Sequence, residues 1–75
     1  MPRWEYCDVT WQPEQVTLTR CSPDGEPSIQ TTEATQWPQL LARLGADGWE
    51  LVSTIASPLG VHEYYFYFKR PLPDA

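Results

Sequence analysis

Leu40 to Val52 reads LLARLGADGWELV, and the spacing of its apolar residues changes partway through. Before Gly45, residues Trp37, Leu40, Leu41 and Leu44 fall at i, i+3, i+4 and i+7, one apolar stripe along a helix. After Gly48, residues Trp49, Leu51, Ser53 and Ile55 alternate with Glu50, Val52, Thr54 and Ala56, as a strand requires. A helix that passes directly into a strand makes the fold class α+β. Thr35 is the expected N-cap, and Pro38 suits the first turn, where its missing N–H costs nothing. Gln39, Arg43 and Asp47 are expected to face water. Gly48 should end the helix in the left-handed conformation. Gly45 is either an earlier stop or a small residue that lets the helix approach a sheet.

Upstream, Trp4 to Trp11 (WEYCDVTW) and Val16 to Cys21 (VTLTRC) are strand-like, with a turn at Gln12 to Gln15 between them. Ser22-Pro23-Asp24-Gly25 is a second turn, and Ser28 to Thr32 a short candidate third strand. A four-residue loop sets Trp11 opposite Val16 and Val9 opposite Leu18. A three-residue loop sets Cys7 opposite Cys21 and Asp8 opposite Arg20. The first register is preferred because it gathers Cys7, Val9, Trp11, Val16 and Leu18 on one face. Trp4, Tyr6, Asp8 and Thr10 then face the other way.

Downstream, Ser57 to Gly60 reads as a turn and Val61 to Arg70 (VHEYYFYFKR) as the longest strand. A four-residue loop there pairs Ala56 with Val61, Leu51 with Phe66 and Trp49 with Phe68. Trp49, Leu51, Ile55, Tyr64, Phe66 and Phe68 would lie under the helix. Glu50, Val52, Thr54, Glu63, Tyr65, Tyr67 and Lys69 would lie on the outer face. Pro71 and Pro73 are expected to end the sheet. The expected architecture is an antiparallel four-stranded sheet, five-stranded if Ser28 to Thr32 joins it, with one helix on one face in the order β-β-(β)-α-β-β. Residues 1–75 are expected to form a single α+β domain, with 71–75 a short C-terminal tail.

Composition narrows the function classes. The chain has 75 residues, 41% of them apolar, with four Trp, four Tyr and two Phe, enough to fold but with a thin stability margin. Its net charge of −5 and its five scattered cations, at Arg3, Arg20, Arg43, Lys69 and Arg70, argue against nucleic acid and against an anionic membrane surface. With no apolar run of about 20 residues and no signal-like segment, a cytoplasmic location is expected. The two cysteines then read as thiols rather than a disulfide.

Three segments, Trp4-Glu5-Tyr6, Leu44 to Val52 and Phe68-Lys69-Arg70-Pro71, together resemble a small bacterial and phage domain-of-unknown-function family with the pattern WEY…LGxxGWELV…FKRP. What the resemblance implies is a compact β-β-α-β-β domain, with no catalytic residue to carry over. Each motif residue also has an architectural reading: Gly48 as a cap, Trp49 and Leu51 as core, Lys69-Arg70-Pro71 as the end of the last strand.

No catalytic constellation emerges. Cys7, Cys21 and His62 lack the spacing of a zinc site, neither cysteine is marked as activated, and LGADG follows a helix where a phosphate loop would precede one. No metal or cofactor is implied. The outer face is less ordinary, because Trp4, Tyr6, Tyr65 and Tyr67 point away from the helix among Arg3, Lys69 and acids. Exposed apolar patches of this kind mark interaction surfaces. Homo-oligomerisation through that face is the expected role. The competing readings are a stacking site for a planar, nucleotide-like ligand, with Arg3, Arg20 or Lys69 meeting its charge, and a plain solvated β surface. An enzyme using His62 or Cys7 ranks last.

Overall fold

A computed structural model describes residues 3–21, 27–59 and 62–72. The elements are β1 (Trp4–Trp11), β2 (Gln15–Cys21), β3 (Ser28–Glu33), a short 3-10 turn (Ala34–Gln36), α1 (Trp37–Ala46), β4 (Glu50–Ala56) and β5 (Tyr64–Pro71). The strands form one antiparallel sheet in the order β3-β2-β1-β5-β4. The expected turn at Ser22 to Gly25 lies outside the described residues.

The first hairpin takes the four-residue loop, pairing Trp11 with Val16 and Val9 with Leu18. This register puts the apolar positions of both strands on one face, where Val9 and Val16 are fully buried. Cys7, Leu40, Leu44, Trp49 and Phe68 complete the core, and Trp11, Leu18, Trp37 and Phe66 pack against it. At the start of α1, the Trp37 ring lies 4.9 Å from that of Phe66. Leu41, though part of the sequence stripe, is exposed. A ten-residue helix touches a broad sheet along a narrow seam, and Leu41 falls beside it.

Gly48 has φ +89°, which makes it the left-handed residue that ends α1. The Trp49 N–H donates to the Leu44 carbonyl at 2.9 Å, and the Gly48 N–H to the Gly45 carbonyl at 3.1 Å. This is a Schellman closure, and Trp49 and Leu44 make its characteristic apolar contact inside the core. Four expectations change here. Gly45 neither stops the helix nor approaches the sheet, since it lies inside α1 with nothing near its missing Cβ. The N-cap is Gln36, because the chain enters α1 through the 3-10 turn that contains Thr35. Trp49 precedes β4 instead of pairing with Phe68. Pro71 pairs with Trp4 at the end of β5, beyond the expected strand end at Arg70.

The second hairpin also departs from expectation. Leu51, and not Trp49, pairs with Phe68, Ala56 pairs with Tyr64, and the register shifts between Leu51 and Ser53 around a bulge at Val52. The bulge reverses the facing of everything after it. Ile55 therefore joins Tyr65 on the open face, and Thr54 joins Phe66 on the helix face. Glu63 precedes β5, its carbonyl accepting from the Ser57 N–H at 2.9 Å. Val61 lies outside the described residues.

Candidate functional site

The pairing of β1 with β5 and β2 gathers Trp4, Tyr6, Asp8 and Thr10 with Tyr65, Tyr67 and Lys69 on the face away from α1. Tyr6 is 55% exposed and Tyr67 41%. The same face carries Ile29 from β3 and Ile55 from β4, both exposed. The Lys69 ammonium lies 4.2 Å from the centre of the Trp4 ring, covering one side of it. Tyr65 donates its hydroxyl to the Glu63 carboxylate at 2.8 Å, which raises the phenol's pKa. Asp8 stands opposite Tyr67 and Thr19, and partial burial raises its carboxyl above 3.8. Arg3 is exposed at the margin, where its carbonyl accepts from the Leu72 N–H at 2.8 Å.

Arg20 does not belong to this surface. It pairs with Cys7 and so lies on the helix side, because residues of one parity along β2 share a face. There it donates to the Glu5 carboxylate at 3.3 Å, and Arg70 donates to the same oxygen. Glu5, with its side chain 8% exposed, is the one buried charged residue among the described residues. The Arg70 guanidinium also lies 4.4 Å from the centre of the Trp49 ring and donates to the Asp47 carbonyl at 2.9 Å. Arg20 approaches the same ring at 5.9 Å. Glu5, Trp49 and Arg70, one from each segment of the WEY…GWELV…FKRP pattern, thus meet at the end of α1. Sequence reading missed Glu5 and Arg70 as partners, since only the β1–β5 pairing brings them together.

Beside this cluster, a cleft of about 160 Å³ opens between α1 and the β2–β3 hairpin. Leu18, Leu40, Leu44 and Cys7 line its apolar part, and Arg20 and Arg43 are its cations. A smaller chamber of about 80 Å³ continues along α1, sharing Leu18, Gln30, Leu40 and Arg43 and adding Gln36 and Gln39. Burial, with nearby Asp8 adding to it, pushes the Cys7 thiol up to about 11, so it is neutral and unreactive at ordinary pH. Both cysteines are free, Cys7 buried and Cys21 exposed. His62 is exposed in the turn before β5.

Among known proteins, no family model, curated protein or solved structure gives a significant match to the chain.

Proposed function

We propose that this protein is a non-enzymatic interaction module that self-associates through the sheet face turned away from α1. The observation that carries this reading is that Tyr6, Ile29, Ile55 and Tyr67, from four of the five strands described, are all exposed on that one face. Helix α1 contributes its buried residues to the other side, so nothing within the described residues covers them. Five strands at about 4.8 Å spacing and about seven residues each give a flat area of roughly 600 Å². With side-chain relief, that approaches the ~800 Å² per partner of a standard interface. Both charge signs are present, with Lys69 opposite Glu50 and Asp8 one strand away, so a rotated copy finds opposite charges to meet.

The planar-ligand reading has less support at this face, since Lys69 already occupies one side of Trp4 and Arg20 lies on the helix side. Sedimentation equilibrium tests the proposal. The parent chain should associate at micromolar concentrations, and Tyr67→Glu combined with Tyr6→Arg should give a folded monomer. A parent chain that stays monomeric at high micromolar concentration defeats it.

A further inference from the structure

The cleft on the helix side invites a ligand of different chemistry, and the inference is independent of self-association. The chain has five cationic residues, and three of them, Arg20, Arg43 and Arg70, stand around the C-terminal end of α1. Arg20 and Arg70 share Glu5, while Arg43 makes no ion pair among the described residues. Among the described residues, with Glu5 and Asp47 as the acids of this cluster, three positive charges meet two negative, an excess of one in a chain of net −5. Concentrating scarce cations beside an apolar floor is the arrangement expected for an amphipathic anion. A single excess charge suits a monoanion better than a phosphate dianion.

The size of the cleft limits the ligand. At about 160 Å³ it is close to the ~150 Å³ cavity that holds one benzene ring. Leu18, Leu40, Leu44 and the neutral Cys7 thiol give it an apolar part without charge, and Ser28, Gln30 and Asp47 line it beside Arg20 and Arg43. We infer that this cleft binds a small organic monocarboxylate, with one ring or a short branched chain on Leu18, Leu40 and Leu44 and its carboxylate toward Arg43 and Arg20.

An NMR titration of the full chain with sodium phenylacetate tests this, using phenylacetamide as the neutral isostere and inorganic phosphate as the anion without an apolar body. The indole N–H of Trp49, which lines the cleft, reports the site, and that of Trp4 reports the open sheet face. Phenylacetate should give saturable shifts at Trp49 and leave Trp4 unmoved. Phenylacetamide, and phenylacetate with the Arg43→Gln variant, should each bind about tenfold more weakly. Arg43 is exposed and outside the core, so the variant should fold. The inference is overturned by no saturable shift up to about 10 mM, by shifts centred on Trp4, or by an undiminished response in Arg43→Gln. Equal binding of phenylacetamide or of phosphate also overturns it. Because the two faces have separate reporters, failure here leaves the self-association test intact.

Discussion

Gly48 and Gly45 lie in one short motif but answer to different demands. Gly48 holds φ +89°, where a Cβ clashes with the backbone, so Gly48→Ala should cost about 1 kcal/mol. Gly45 is an exposed helical residue with free space around it, so Gly45→Ala should stabilise by roughly 0.5–1 kcal/mol. Urea denaturation of the two variants checks the opposite signs. Glu5→Gln should cost about 1–3 kcal/mol, because it leaves the partly exposed Arg20 and Arg70 side by side without their shared counter-charge. Asp8 gives a pH dependence. Burial raises its folded pKa above 3.8, so the native state holds the proton more tightly than the unfolded chain. That penalty is fully present at neutral pH and vanishes as pH falls below the unfolded value. Thermal melts of Asp8→Asn should therefore show a higher Tm than the parent at neutral pH, with the gap closing toward strongly acid pH. The cap at Gly48 was legible because capping is local. The meeting of Glu5 with Arg70 was not, because their contact depends on which strands become neighbours.

At the level of elements, the two hairpins show why one register could be read and the other could not. In β1 and β2, alternation is clear: Cys7, Val9 and Trp11 against Tyr6, Asp8 and Thr10, so only one parity builds a core. In β5, Tyr64, Tyr65, Phe66, Tyr67 and Phe68 are aromatic on both parities, and a slip leaves the hydrophobic pattern unchanged. The bulge at Val52 and the longer turn before β5 then decide the facing of Thr54 and Ile55. The candidate surface inherits this split. Alternation places Tyr6 on it, Tyr67 reaches it only through the pairing of β5, Arg20 belongs by parity to the other face, and the facing of Ile55 depends on the bulge. β4 also forms an edge whose every residue is exposed, with Glu50 as its one charge. Thr54→Lys puts a charge on that edge but on the helix side. If association runs face to face, light scattering should show it unchanged by this variant, whereas its loss would move the interface to the β4 edge.

For the whole molecule, a net charge of −5 sets copies of the chain against one another. Raising ionic strength should therefore strengthen self-association, and the same salt should weaken carboxylate binding beside Arg43. Sedimentation and the NMR titration, each run at about 20 and about 300 mM salt, should move in opposite directions. The strand order has a further consequence. In chain order the first and last of the described strands, β1 and β5, are neighbours near the sheet's centre, closed by Arg70 on Glu5 and by the Leu72 N–H on the Arg3 carbonyl. During synthesis, β1 must wait for β5 with one edge bare, for roughly three to ten seconds at ~5–20 residues per second. Until then the nascent chain exposes Cys7 and Val9, which Phe68 and Phe66 have yet to cover. The ribosome-bound intermediate, more than the finished protein, is where this sequence would need a chaperone.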